Sequence, residues 1–322
     1  MERIILNDET RLTKRSCATI GFFDGVHRGH RFLIGQLKRL ASERGERAMV
    51  ITFERHPRQV VCPDWRPQLL TTLDEKQRLL DEAGIDVMVV LRFDAAMAAL
   101  SAHDFMGKVL RDRLNVDTLL AGYDNRFGHG RAEGFNDYIR YGRELGIDVV
   151  QAEALAVEGS AVSSSRIRRL IAEGDMHAVA ECLGRRYELC GRVVHGEQIG
   201  RTIGFPTANM ELDDGQKLVP KDGVYAVTVT IEGMANSMPG MMNIGTRPTF
   251  DGQRRTLEVH VLGFSGDVYD KRLSVEFAER LREERQFASA EDLARQMRLD
   301  SEAAKAALLL TQRNIKYNET KI

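Results

Sequence analysis

The sequence predicts an α/β domain built on a parallel sheet, followed by an antiparallel barrel closed by a C-terminal helix. Three observations predict this. At 322 residues the chain is about twice the usual single-domain length, and 43% hydrophobic content can fill two moderate cores. From Cys17 to about Leu183, short apolar runs alternate with longer amphipathic ones, the signature of βαβ units. After Leu183, strand-like runs alternate with clusters of Gly, Pro, Asn and Asp, and no helical period returns until about Ser289.

Taken in order, "CATIGFF" reads as a strand, "HRFLIGQLKRLASERG" as a helix, "RAMVITF" as a strand, "DEKQRLLDEAG" as a helix and "DVMVVLRF" as a strand. The helix "SAHDFMGKVLRDRL" starts at a Ser101 cap with Asp104 three residues on, and "VDTLLAG", "FNDYIRYGRELG" and "IDVVQAE" follow as strand, helix and strand. Five short parallel strands with helices on both faces are expected. A boundary near Gly184 to Tyr187 assigns residues 1–184 to the first domain and 185–322 to the second. There "YELCGRVVHG", "GVYAVTVTIEG", "RTLEVHVLGF" and "KRLSVEFAERL" have strand character. "SAEDLARQMRLDSEAAKAALLL" carries apolar residues at helical spacing behind a Ser N-cap, and the charged tail "TQRNIKYNETKI" is expected to be disordered.

The formal net charge of -1 gives no global attraction to nucleic acid or an anionic membrane, so any polyanion must be held locally. Cys17, Cys62, Cys182 and Cys190 lie far apart without a CxxC pair, which argues against a disulfide framework or a zinc knuckle. The N-terminal segment lacks an apolar core, and no run approaches the roughly 18 apolar residues of a membrane span. A soluble, unexported, cytoplasmic protein is expected.

Three segments of the first domain carry candidate chemistry. In "GFFDGVHRGH" a strand runs through Gly21, Phe22, Phe23, Asp24 and Gly25 into a helix start, where backbone N–H groups and the helix dipole favour an anion. His27 and His30, at i and i+3, face that position together and can stabilise charge on a phosphate, or can be ordinary hydrogen-bonded residues. No third ligand at metal spacing follows them. In "VSSSRIRRLIAEG", Ser163, Ser164 and Ser165 with Arg166, Arg168 and Arg169 offer donors and charge to a phosphate; the alternative is a serine cap with a solvated arginine face. "GYDNRFGHGRAEG" is a Gly-rich loop after a strand, and its Asp124 can contact a nucleotide or form a turn.

In the second domain, "GEQIGRTIGFPTANM" is not a P-loop, since no Lys follows Gly204. On an extended strand Thr207 and Asn209, just after Pro206, point the same way, and their oxygens can reach a hard cation such as Mg2+; turn hydrogen bonding is the alternative. In "RTLEVHVLGF", Leu257, Val259 and Val261 share one face, and Glu258 and His260 the other. Glu258 is either an exposed polar residue or a base that takes a proton from a substrate hydroxyl.

"GFFDGVHRGH", "ITFERHP", "GYDNRFG" and "SSSRIRRL" resemble the adenylyltransferase half of the bacterial bifunctional riboflavin kinase/FAD synthetase family. "GRVVHG", "GRTIGFPTAN", "GVYAVTV", "NIGTRPTF", "LEVHVL" and "LREERQF" resemble its kinase module. The resemblance implies an α/β Rossmann-like nucleotidyltransferase domain and an antiparallel Greek-key β-barrel kinase domain with a C-terminal helix. It implies that the barrel phosphorylates riboflavin to FMN, and that the first domain joins FMN to AMP from ATP, releasing pyrophosphate, with Mg2+ in both steps. By resemblance His27, His30 and Arg168 act on ATP phosphates beside Ser163, Ser164 and Ser165, Thr207 and Asn209 bind Mg-ATP, and Glu258 is the base. Ser165 replaces the family's Thr and keeps the hydroxyl, whereas Gly263 and Asp270 depart from the usual Asp and Gly. Rival readings are a catalytically inactive flavin- or nucleotide-binding sensor, and a nucleotidyltransferase of another substrate class with an accessory barrel.

Overall fold

Residues 1–62, 64–122, 126–129, 133–153, 162–195, 204–249 and 252–319 are described by the computed structural model. They form two compact units, Met1–Ser164 and Ser165–Ile322. In the first, β1 (Glu2–Ile5), β2 (Ser16–Ile20), β3 (Arg47–Phe53), β4 (Val87–Leu91), β5 (Val116–Ala121) and β6 (Asp148–Gln151) make one sheet in the order β1-β4-β3-β2-β5-β6, parallel throughout. The five expected strands are all there. β1 is an addition, a four-residue edge strand beside β4 that is too short to show a period.

Central strands are apolar on both sides because both faces are covered. Along β3, Met49 and Ile51 enter one core, and Ala48 and Val50 enter the other. α1 (Arg28–Arg44) brings Ile34, Leu37 and Ala41 to the second core. α2 (Arg58–Val61) is a single turn, and α3 (Leu73–Glu82), opened by a Thr72–Glu75 capping box, adds Leu79 and Leu80 to that core. Across the sheet lie α4 (Ala95–Ala98), α5 (Ala102–Asp104) with a π-helical continuation over Phe105–Arg111, and α6 (Phe135–Leu145). Ser101 caps α5 as expected, its Oγ accepting from Asp104 N at 3.0 Å. Strand order reverses between β2 and β5, the place where open α/β sheets bind ligands beyond the strands' carboxyl ends.

α7 (Ser164–Glu173) and α8 (Met176–Leu183) precede the barrel, and Ile171 O accepts from Lys221 N at 3.2 Å. The barrel strands are β7 (Tyr187–Val194), β8 (Ala208–Leu212), β9 (Gly223–Ile231), β10 (Met238–Thr249), β11 (Gly252–Val261) and β12 (Arg272–Arg282). They close antiparallel in the order β10-β11-β8-β7-β12-β9. β8 and β10 were not among the four expected: β8 is short, and Pro and Gly interrupt the apolar alternation of β10. α9 (Ala290–Glu319) starts at Ser289, whose Oγ accepts from Asp292 N at 3.1 Å, and packs Ala304, Ala307 and Leu308 against Ala226 and Met241. Its backbone stays helical as far as Glu319, within the tail expected to be disordered, since a nucleated helix adds one hydrogen bond per further residue. Among the described residues no helix is long and apolar enough to cross a membrane.

Candidate active sites

The turn after β2 is tight. Phe23, Gly25 and Val26 have φ of 52°, 83° and 38°, so two side-chain-bearing residues occupy the left-handed region that usually favours glycine. Asp24 is 3% exposed, and its carboxylate accepts from Leu70 N at 3.0 and 3.1 Å, from Thr71 N at 3.0 Å and from Thr71 Oγ1 at 3.3 Å. Thr71 Oγ1 also accepts from Gly25 N at 3.0 Å. The Asp24 carboxylate is therefore spent on shaping the turn.

His27 caps α1. Its Nδ1 accepts from His30 N at 3.3 Å, which fills one of the free helix-start donors and leaves the ring proton on Nε2. The two imidazoles stack with centroids 3.6 Å apart and 16° between planes. His30 Nδ1 is buried without a hydrogen-bond partner. Desolvation, with the neighbouring His27 and Lys76, holds His30 well below the ordinary imidazole range, so its ring is neutral at pH 7. Gly29 is small for a reason: a Cβ there would sit 3.2 Å from His27 Cε1 and Nδ1.

Of the serine motif, Ser164 Oγ donates to the carbonyl of Asp24 at 3.0 Å, which brings the motif's start against the turn. Ser163 is exposed next to it, while Ser165, Ile167 and Arg168 lie on α7 within the second unit, Ile167 fully buried. Asp124 lies outside the described residues. Beyond the carboxyl ends of the strands, Gly21 and Phe22 join a cleft walled by Phe53, Phe93 and Phe127, with His56 and Arg126 as its polar residues.

In the barrel, Leu257, Val259 and Val261 point inward at 7%, 0% and 8% exposure, and Glu258 and His260 take the other face, as the alternation predicts. Glu258 stands opposite Asn209 of β8 on one side and Asn243 of β10 on the other. Directly opposed residues share a face with Cβ atoms roughly 5 Å apart, so the three form one row across three strands. Gly204 has φ 83°, and the segment up to Thr207 is tied down by His260, whose Nδ1 lies 2.7 Å from Pro206 O. Glu284 hangs over Gly245, and its Oε1 accepts from Asn243 Nδ2 at 3.5 Å. Thr207, Asn209 and Glu258 supply hydroxyl, amide and carboxylate oxygens, a donor set suited to Mg2+.

Family models place the chain. The model described as FAD synthetase matches residues 9–166, and that described as riboflavin kinase matches residues 183–308. The bifunctional riboflavin kinase/FMN adenylyltransferase of Escherichia coli strain K12 is 40% identical over 294 residues, covering 91% of this chain and 93% of that one. The chain belongs to the bifunctional riboflavin kinase/FMN adenylyltransferase family. The Bacillus subtilis strain 168 member is 35% identical over 297 residues, covering 90% of this chain and 92% of its own. A crystal structure described as a macrolide-efflux protein from Streptococcus pneumoniae matches with TM-score 0.87 and 29% identity, over 95% of this chain and 99% of that one.

Within this family member, sequence reasoning missed Lys76 and Asn243 as site neighbours. Lys76 was legible in principle: it lies on the apolar stripe of α3 with Leu73, Leu79 and Leu80, where a cation is out of place. Asn243 was not, because its nearness to Glu258 is a matter of strand register alone.

Proposed function

We propose that the chain phosphorylates riboflavin to FMN in its barrel and adenylylates FMN to FAD in its first domain. The observation that carries this reading is the row Asn209–Glu258–Asn243, which sets a carboxylate between two amides beside Thr207. Glu258 takes the proton of the ribityl 5'-hydroxyl as its oxygen bonds the γ-phosphorus and the bond to the bridging β,γ-oxygen breaks, giving FMN and ADP. Thr207 and Asn209 would hold Mg2+, which when bound supplies charge neutralisation for the nucleotide phosphates. Pro206 and Gly204 set the backbone that carries them.

In the second reaction an ionised phosphate oxygen of FMN attacks the α-phosphorus of ATP and pyrophosphate leaves. No proton has to be removed, so the site needs positioning and N–H donors more than a base. His27 Nε2–H and the neutral His30 ring supply donors, Ser163, Ser164, Ser165 and Arg168 are the residues that the family resemblance assigns to the ATP phosphates, and the aromatic cleft fits a planar flavin ring. Residues 1–184 and 185–322 are the two catalytic domains in this reading. None of the four cysteines is in a disulfide, which fits a reducing compartment, and we assign the cytoplasm.

Chromatography of products from riboflavin, ATP and Mg2+ tests it. Glu258→Ala is expected to lose roughly 10²–10⁴-fold in FMN formation yet convert supplied FMN to FAD. His27→Ala with His30→Ala is expected to accumulate FMN. A wild type that yields neither product overturns the reading; normal FAD formation by the histidine variant overturns the site.

A further inference from the structure

The first unit buries an ammonium group that its fold does not need. Lys76 is 2% exposed, at a position of α3 that Leu or Met would fill without burying charge. An ammonium in such a place costs folding free energy. Its surroundings are parts of the proposed adenylyl-transfer site. Lys76 Nζ donates to Thr52 Oγ1 at 3.2 Å, and Thr52 Oγ1 donates to the carbonyl of Phe22 at 3.1 Å. The ammonium also lies 4.1 Å from the centre of the Phe22 ring, in cation–π range, and its charge acts on Asp24 and His30. Phe22 walls the cleft, Asp24 shapes the turn, and His30 is half of the stacked pair.

Resting on the adenylyltransferase reading, we propose that Lys76 is a positioning residue for adenylyl transfer, its buried ammonium fixing Phe22 and through it the turn that carries the histidine pair to FMN and ATP. The same charge opposes protonation of His30. The groups around that ring are His27 from its own turn, Lys76 from α3 and the uncharged edge of Phe23 at 5.1 Å, while Asp24 faces Lys76 and partly offsets it. The His30 ring thus enters the reaction neutral.

Lys76→Met keeps the stem and removes the charge, and Lys76→Arg keeps the charge. Full-length proteins labelled with 15N-histidine are titrated by NMR, and both activities are measured across pH. In Lys76→Met the His30 titration and the acid limb of FMN adenylylation are expected to move up together, the rate to fall roughly tenfold or more, and riboflavin phosphorylation to stay unchanged. Lys76→Arg is expected to restore the pH profile. A Lys76→Met protein with wild-type His30 titration and pH profile overturns the proposal even if slower, since lost packing alone predicts that result. Should Lys76→Met fail to fold, Lys76→Gln carries the same comparison. A wild type that makes no FAD from FMN and ATP sinks the adenylyltransferase reading instead, and the His30 titration still decides what Lys76 does to the pair.

Discussion

Single side chains in the turn after β2 trade stability for geometry. Burial pulls Lys76 from 10.5 to about 8. At about 1.4 kcal/mol per unit, keeping the charge there forgoes about 3 kcal/mol at neutral pH. The folded value is the lower one, so the unfolded chain holds the proton better between those values. This group's contribution to stability is full above pH 10.5 and is lost as pH falls through 8. Lys76→Met is therefore expected to resist urea better than wild type at pH 7, by up to about 3 kcal/mol, while working more slowly. Asp24 has the opposite sign: Asp24→Asn presents an amide to three donors that now share a carboxylate. That change is expected to cost roughly 2–3 kcal/mol in urea unfolding and to slow FMN adenylylation without touching riboflavin phosphorylation. His30 sets a pH dependence. Its folded value lies below 6.5, so stability from this ring is full above 6.5 and is lost as pH falls below it. Adenylyl transfer is expected to hold its rate down through pH 6.5, and a pH–rate profile that drops already at that value contradicts a neutral His30 ring.

At the scale of elements, turns and registers assemble what spacing only suggested. In the loop between β11 and β12, Gly263 and Asp270 both have left-handed backbones, φ 72° and φ 59°. Asp270 N donates to Val193 O at 3.1 Å, and Arg192 Nη1 donates to Asp270 O, which holds the strained residue in place. Asp270→Gly is expected to raise stability by up to about 1 kcal/mol with riboflavin phosphorylation unchanged, read as a rise in the thermal midpoint. Strand β11 delivered the expected inward and outward faces because its period is short and uninterrupted. β10 hid from the same reasoning, and with it Asn243 and its partner Glu284.

At the scale of the whole molecule, the histidine pair and Glu258 lie in different compact units, so the two activities should separate by mutation. Mixed together, Glu258→Ala and the His27→Ala/His30→Ala variant are expected to make FAD from riboflavin although neither does so alone, with FMN leaving one protein and entering the other. Chromatography that finds only riboflavin and FMN in the mixture would show that FMN is not exchanged. By itself the sequence determined the α/β domain, the barrel and the closing helix and put forward candidate residues for both sites, because hydrophobic period, caps and motif spacing are local properties. It left open, at "GFFDGVHRGH", whether the histidines meet an anion or merely pack. Tertiary structure decided that His27 Nδ1 is occupied by the His30 amide, that the rings stack, that Asp24 serves the turn, and that a buried lysine is tied to Thr52 and Phe22 beside it. Those facts depend on which side chains from distant segments share one desolvated space, and no spacing along the chain encodes it.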